Sequence, residues 1–144
     1  MRVRLDLLPP KTTAQQKRAV VTPAGVRFYH SPGQVAAERS YLALLAPYAP
    51  AVPLTGPLTL AVRFTWPHLV STPTRRRAAT VPKTTRPDLD NLAKQITDCL
   101  VTLRYLEDDG QVAELTLGKY HGPPERVGIE LSLEPLEAPT REAL

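Results

Sequence analysis

The chain has little of what disulfide-stabilised, zinc-binding and membrane proteins use. One cysteine, Cys99, occurs in 144 residues, so no intrachain disulfide can form, which fits a reducing compartment. The three histidines, His30, His68 and His121, are isolated from one another and lack the spacing of zinc ligands. No apolar run reaches the roughly 18 residues of a membrane span, and the N-terminus lacks the apolar core of a signal peptide. The sequence therefore predicts a soluble, cytoplasmic protein with no membrane partner.

Acidic residues are missing from one stretch of the chain, residues 75–86. The formal net charge is only +4, which agrees with a nucleic-acid partner but does not establish one. The distribution is more informative, because the basic stretch ends just before Asp88 and the last part of the chain, 125–144, is acidic. Either the stretch is a solvated loop, or it contacts phosphates. Its basic residues are Arg75, Arg76, Arg77, Lys83 and Arg86.

Alternation of polar and apolar residues predicts several strands. Residues 11–18 are polar and basic without periodicity, which predicts an exposed loop. Residues 68–87 also lack periodicity, and a loop of about 20 residues in a compact domain is usually functional or disordered. The predicted strands are residues 3–7, a short arm at 26–30, 58–65, and a final hairpin formed by 112–120 and 126–133.

Two helices are predicted, at residues 33–46 and 88–103. Ser31 as N-cap and Pro32 at the first helical position favour the start of the first helix. The second helix has one apolar stripe at i, i+4, i+7, i+8 and i+11. Cys99 lies on that stripe, so burial is favoured over a role as a nucleophile. The stripe consists of Leu92, Ile96, Cys99, Leu100 and Leu103.

Together these elements predict an α+β fold with a single mixed β-sheet and two helices packed on one of its faces. Residues 1–133 are expected to form one domain, and residues 134–144 a frayed tail.

Asp88, Asp90 and the turn Asp108-Asp109 concentrate carboxylates around one lysine, Lys94. Two like charges about 4 Å apart repel by roughly 4 kcal/mol at an effective dielectric constant near 20. A hard divalent cation relieves this repulsion, and Mg²⁺ suits a few carboxylates together with phosphate oxygens. Ordinary explanations exist for each part: a helix cap, a surface ion pair between Asp90 and Lys94, and a common turn sequence.

The segment RPDLDNL at 86–92, with Lys94 and Asp98, followed by DDGQV at 108–112, resembles the signature of the RusA family of Holliday junction resolvases. The resemblance covers residues 86–119, and the two motifs together are far more specific than either alone. Arg104 departs from the pattern, because relatives often have glycine near the end of this helix.

The resemblance implies a RusA-like nuclease domain that acts as a crossover junction endodeoxyribonuclease. It implies that Asp88, Asp90 and Asp109 are catalytic and hold Mg²⁺ or Mn²⁺, and that Lys94 is an essential lysine. It further implies a homodimer that makes paired cuts in four-way junction DNA during recombination and repair, with no small-molecule cofactor. Lys119 matches a basic position on the strand after the acidic turn.

The remaining basic residues are candidates for contacts to the DNA backbone, which supply affinity that weakens steeply with salt. Trp66 and Tyr120 are either stacking platforms for exposed bases or partly buried anchors. The dimer interface could involve Leu42, Leu45 and Tyr48, or Val127 and Ile129, although all five suit a core equally well. The predicted DNA contacts are Lys11, Lys17, Arg18, Arg75, Arg76, Arg77, Lys83, Arg86 and Lys119.

Two other functions remain open from the residues alone. One is a non-catalytic protein of the same fold that binds branched DNA. The other is an interaction protein whose acidic turn and basic loop are only surface features. Intact Asp88, Asp90, Lys94 and Asp109 argue against a pure binder, because negative charge beside phosphate weakens binding.

Overall fold

The computed structural model describes residues 1–11, 17–30 and 32–137. It contains two α-helices and seven strands within those ranges. The helices are α1 (Pro32–Leu45) and α2 (Leu89–Thr102). The strands are β1 (Arg2–Leu5), β2 (Lys17–Thr22), β3 (Gly25–His30), β4 (Leu58–Pro67), β5 (Val81–Pro82), β6 (Val112–Gly122) and β7 (Gly128–Pro135).

Five of the strands form one mixed sheet in the order β1-β7-β4-β6-β5. The central strand, β4, pairs in parallel with β6 and antiparallel with β7, while β1 pairs antiparallel with β7. Every second residue of β4 from Leu58 to Trp66 is buried beneath the helices, and on the other face only Thr65 is buried as well. The predicted α+β class and mixed sheet are confirmed.

The predicted final hairpin is wrong. Strands β6 and β7 both exist, but β4 lies between them and pairs with each. A one-turn 3₁₀ helix, Pro124–Arg126, lies on the connection that takes the chain past the end of β4. The physical reason is burial: β4 is the most apolar strand, and the central position gives it a neighbour on each side. Local alternation and spacing do not distinguish this arrangement from a hairpin.

Both helices belong to one hydrophobic core with the same face of the sheet. Four residues of the predicted stripe, including Cys99, are buried in α2, and Leu103, which follows the helix, is partly buried. Gln95 of α2 donates its side-chain amide to the Gln34 carbonyl of α1 at 3.1 Å, which ties the two helices together. Arg104, in place of the glycine of relatives, ends α2 with φ of 60°, so this chain accepts a non-glycine residue in the left-handed region there.

Two local expectations need correction. A second sheet, the two-stranded β2–β3 hairpin, stands beside the five-stranded one, and it begins at Lys17, inside the predicted loop 11–18. The predicted loop 68–87 contains β5 and a one-turn 3₁₀ helix, Thr74–Arg76. The N-cap predicted at Ser31 lies outside the described residues.

The C-terminal boundary also lies later than residue 134. Strand β7 runs to Pro135, and the Glu134 carboxylate pairs with Arg2 at 3.1 Å. The Leu136 amide then donates to the Pro57 carbonyl at 2.8 Å. These bonds attach the start of the predicted tail to the sheet. Of the predicted dimer contacts, Leu45 and Ile129 are fully buried in the core, so they are unavailable to a partner.

Gly128 at the start of β7 provides a test of the fold. It has φ of +142°, and a Cβ there would lie 2.8 Å from the Leu5 carbonyl oxygen. We expect Gly128→Ala to destabilise the protein by about 2–4 kcal/mol, because strain and a backbone clash act together. Gly25→Ala is the matched control, since Gly25 has φ of +117° but nothing within 4 Å of its Cβ position. Urea unfolding should show a clearly smaller loss for the control, and equal losses would contradict this account.

Candidate active site

Two carboxylates stand exposed where α2 begins. Asp88 precedes the helix in an extended conformation, and its side chain makes no capping hydrogen bond. Asp90 lies in the first turn. Within the part of the chain that the structure describes, neither carboxylate has an ion pair or a hydrogen bond. The two ordinary explanations, a helix cap at Asp88 and an Asp90–Lys94 pair, are therefore not what the structure contains.

Lys94 lies one turn beyond Asp90 on the exposed face of α2. Its ammonium reaches forward to the Asp98 carboxylate at 3.5 Å rather than back to Asp90. Both side chains are more than half exposed, so the pair contributes little to stability. Lys94 is thus free to exchange this partner for a phosphate.

The loop before α2 is attached to the sheet by Lys119 of β6. The Lys119 ammonium donates to the carbonyls of Thr85 at 2.6 Å and Pro87 at 2.8 Å. The Lys83 amide donates in turn to the Lys119 carbonyl at 3.0 Å. These bonds fix the backbone immediately before Asp88. Lys119 was predicted to contact DNA, but its ammonium is already bound to backbone carbonyls, a role that its sequence position did not reveal.

Positive charge is concentrated beside the acidic pair. The Lys83 ammonium donates to the Thr85 hydroxyl at 2.6 Å and lies 5.4 Å from the centre of the Trp66 ring. Burial, and then the neighbouring charge of Lys119, lower the pKa of Lys83. Arg86 is exposed on the same loop. The arrangement suits an anion bound next to Asp88.

The acidic turn uses its two aspartates differently. Asp108 accepts a hydrogen bond from the Gly110 amide at 3.1 Å, and Gln111 accepts one from the Asp108 amide at 3.1 Å, which forms a capping box. The Gly110 hydrogen bond, and then a side-chain hydrogen bond with Asp109, lower the pKa of Asp108. Asp108 therefore shapes the turn and presents Asp109, which is exposed.

The structure of one chain does not bring Asp109 to Asp88 and Asp90. Helix α2 has 14 residues, so its two ends are about 21 Å apart. The start of α2 is held near the C-terminal end of β6, because Lys119 of that strand bonds the Pro87 carbonyl. The turn holding Asp109 lies at the opposite, N-terminal end of β6. The expectation of one three-carboxylate cluster within a chain is thus not met, because α2 and β6 run in opposite directions.

The same geometry limits metal binding by one chain. Asp88 and Asp90 can offer oxygen ligands of the type that Mg²⁺ prefers. Nowhere in residues 1–11, 17–30 and 32–137, however, do three His, Cys, Asp or Glu side chains come together as a metal site. The described residues of one chain therefore do not assemble a three-ligand cation site.

The remaining predicted DNA contacts are distributed over two regions. Arg75 and Arg76 are exposed on the one-turn helix of the long loop. Arg77 donates instead to the carbonyls of Thr72 at 2.9 Å and Val70 at 3.0 Å, so it folds its own loop. The backbone of Lys17 and Arg18 lies in β2, and their side chains are outside the described residues.

The two aromatic candidates lie on opposite faces of the sheet. Trp66 faces the helices, is 5% exposed and stacks against Phe64 with ring centres 6.1 Å apart. Tyr120 lies on the other face beneath the Arg63 guanidinium, 4.2 Å from its ring centre. Trp66 is therefore mainly an anchor, although the Lys83 ammonium lies over its ring.

Comparison with known proteins agrees with these motifs. The family model described as "Endodeoxyribonuclease RusA" matches residues 9–132, which is most of the chain. The chain belongs to the RusA family. A relative from Lactococcus phage r1t, named "Crossover junction endodeoxyribonuclease rusA", is 44% identical over 50 residues, which cover 35% of this chain and 38% of the phage protein. "Uncharacterized protein YqaN" of Bacillus subtilis (strain 168) is 32% identical over 98 residues, or 63% of this chain and 68% of that protein. No helix in the described ranges is long and apolar enough to span a membrane.

Lys119→Met tests whether Lys119 holds the loop that leads into α2. The substitution keeps the apolar stem and removes both bonds to the carbonyls of Thr85 and Pro87. Hydrogen bonds from a charged group contribute about 1.5–3 kcal/mol when buried, and partial exposure reduces this, so we expect a loss of about 1–2 kcal/mol. Lys94→Met is the control and should change the free energy of unfolding by less than about 0.5 kcal/mol. Urea denaturation measures both, and indistinguishable variants would show that Lys119 does not hold the loop.

Cys99, in the last turn of α2, gives a test of the core beneath that helix. Burial, followed by the charges of Glu38 and Asp98, raises the pKa of Cys99 to about 12. The thiol therefore stays protonated near neutral pH, and a protonated, buried thiol is a poor nucleophile. We expect a disulfide reagent to label native protein at pH 8 only as fast as the chain unfolds, and to label urea-unfolded protein at once. Rapid labelling of the native protein would place Cys99 at the surface.

Proposed function

We propose that the chain is a Mg²⁺-dependent, structure-selective DNA endonuclease that resolves four-way junctions by paired hydrolysis of phosphodiester bonds. The observation that carries this proposal is the pair Asp88 and Asp90, which are exposed and have no side-chain partner among the described residues, on the segment that also carries Lys83 and Arg86. Exposed carboxylates without partners remain available to a metal ion, and the neighbouring cations suit the phosphate on which it would act. Family membership and the name of the phage relative support the same activity.

The residues of the chain divide the chemistry between them. Arg86 and Lys83 bind backbone phosphates and hold the strand against the start of α2. Lys94, one turn further along, stabilises negative charge that develops on the phosphoryl oxygens. A divalent cation, when bound, would polarise the phosphate and lower the pKa of an attacking water. Asp88, Asp90 and Asp109 are the proposed ligands.

We further propose that each site is built from two chains. Asp109 lies about 20 Å from Asp88 and Asp90 in one chain, because α2 and β6 run in opposite directions. A two-fold axis across the middle of α2 and β6 would exchange the two ends. The partner's Asp109 then meets Asp88 and Asp90 of the first chain, and the reverse holds at the second site. This arrangement supports a homodimer without any movement of the fold.

The free edge of β6 is the best surface for this partner. Strand β5 pairs only with Tyr120 and His121, so the edge of β6 before Lys119 is unpaired within the described part of the chain. The Lys119 carbonyl points to that edge, where it accepts from Lys83. Backbone N–H and C=O groups of every second residue in a strand point to the same side, so those of Leu115 also face the edge. Antiparallel pairing of two β6 strands about Leu115, which is 51% exposed, would carry the partner's Asp109 toward the start of α2.

Mixed dimers of two inactive variants test the shared site. We expect Asp90→Asn and Asp109→Asn each to abolish cleavage as homodimers. A heterodimer, isolated with one tag on each chain, keeps one site in which every carboxylate is intact. It should therefore nick a labelled four-way junction on one strand in Mg²⁺.

The alternative arrangement gives a different result. If each site lay within one chain, both sites of the heterodimer would carry a substitution and no nicking would occur. The control is a dimer in which both differently tagged chains carry Asp90→Asn, and it should be inactive in either case.

Binding and cleavage can also be separated in one variant. Asp90→Asn should lose paired cutting while binding the junction as tightly as the wild type or more tightly, because repulsion of phosphate is reduced. Cleavage of a labelled junction and of linear duplex, with Mg²⁺ and with EDTA, provides the readout alongside gel-shift affinity. Junction binding by the wild type without cuts in Mg²⁺ would favour the non-catalytic branched-DNA binder, and cutting by Asp90→Asn at the wild-type rate would refute the assigned site.

A further inference from the structure

A groove of about 410 Å³ opens directly beside Asp88. Two of its lining residues, Arg86 and Pro87, immediately precede Asp88 in the chain, so the groove and the acidic pair share a rim. Its volume falls in the range of small-molecule sites, which is about 300–1,000 Å³. The groove also contains Leu8, Lys11, Trp66, Lys83 and His121.

The charge of the groove has one sign. Lys11, Lys83 and Arg86 line it, and no carboxylate does. The Lys83 ammonium donates to the Thr85 hydroxyl and lies over the Trp66 ring, and the Lys119 ammonium behind the loop donates to two backbone carbonyls. Neither lysine has a carboxylate partner among the described residues. Positive charges placed together without a counter-ion are stabilised when an anion binds between them.

Much of the remaining lining of the groove is apolar. Trp66 is 5% exposed and Leu8 is 51% exposed, and both line the groove, so they contribute carbon surface to it. His121 is fixed by its Nδ1 atom, 2.8 Å from the Pro67 carbonyl oxygen. The loop on the basic side is held by the two Lys119 bonds. Cations next to carbon surface match a nucleotide, which has a phosphate at one end and a flat base at the other.

We propose that this groove binds one nucleotide of the DNA strand beside the scissile phosphate, with its phosphate at Lys83 and Arg86 and its base against Leu8 and Trp66. The inference rests on the proposed nuclease function, since it assigns a place to the strand that the site would cut. A base that enters the groove must leave its stack. Bases leave their stack more easily at the branch point of branched DNA than within a linear duplex. The groove would therefore favour branched substrates.

Trp66 is the only tryptophan of the chain, so its fluorescence reports directly on the groove. The titration uses a thymidine oligonucleotide of about ten nucleotides, and an abasic oligonucleotide of the same length, both in EDTA. We expect the thymidine strand to change Trp66 emission saturably, with an affinity that falls as salt rises. The abasic strand, which offers phosphates alone, should bind measurably more weakly.

Two variants with the same change of charge complete the experiment. Lys83→Gln should weaken binding of the thymidine strand about tenfold, which corresponds to one charge-assisted hydrogen bond. Arg2 lies at the edge of the sheet and forms an exposed ion pair with Glu134, so Arg2→Gln should leave the affinity unchanged. Thermal unfolding followed by circular dichroism shows whether each variant keeps its fold.

The outcomes separate this inference from the proposed function. Unchanged Trp66 emission on saturation with DNA, or equal losses in Lys83→Gln and Arg2→Gln, would overturn the groove as a nucleotide site even if junctions are cut. If the abasic strand bound as tightly as the thymidine strand, the proposed contact between the base and the groove would be refuted. A response of Trp66 in a protein that cuts no junction would leave the groove standing and refute the nuclease.

Discussion

The parallel pairing of β4 with β6 is the constraint on which the rest of the molecule depends. Two parallel neighbours need a connection that returns the chain to the starting end of the sheet, and α2 lies on that return. Helix α2 must therefore run against β6. The residues that begin α2 lie at one end of the sheet, and the turn that follows α2 lies at the other. Burial of the stripe of α2 against β4 fixes this direction, so the position of every candidate carboxylate follows from core packing.

The same constraint explains why one lysine on β6 is so important. Lys119 is near the finish of its strand, where α2 begins, and its position is set by the register that pairs it with Phe64 of β4. From there its ammonium reaches two carbonyls of the loop that leads into α2. With the backbone bound in this way, the side chain of Asp88 does not have to cap the helix. The carboxylate stays available for chemistry because another residue holds the loop.

The sequence predicted the elements well and their arrangement less well. Strong periodicity identified α2 and β4, because a buried stripe or alternating face leaves a local signal in the residues that form it. The order of strands left no such signal: β6 and β7 alternate like a hairpin, although β4 separates them. Likewise, the motifs identified Asp88, Asp90 and Asp109 as candidates, but no local pattern states that α2 separates the first two from the third. The groove beside Asp88 joins Leu8, Trp66, Lys83 and His121 from four separate parts of the chain, so only the fold could bring it to light.

Separation of the carboxylates within one chain has a consequence for paired cutting. If each site combines Asp88 and Asp90 with the partner's Asp109, an isolated chain has no complete site and cannot nick DNA on its own. In such a dimer the two sites would also stand at a spacing set by the length of α2 and β6, about 20 Å, rather than by flexible contacts. A rigid spacing selects substrates in which two strands present their phosphates at that distance, as the exchanging strands of a branched molecule do. Shape selection and the suppression of single cuts would then arise from the same feature, the opposed directions of α2 and β6.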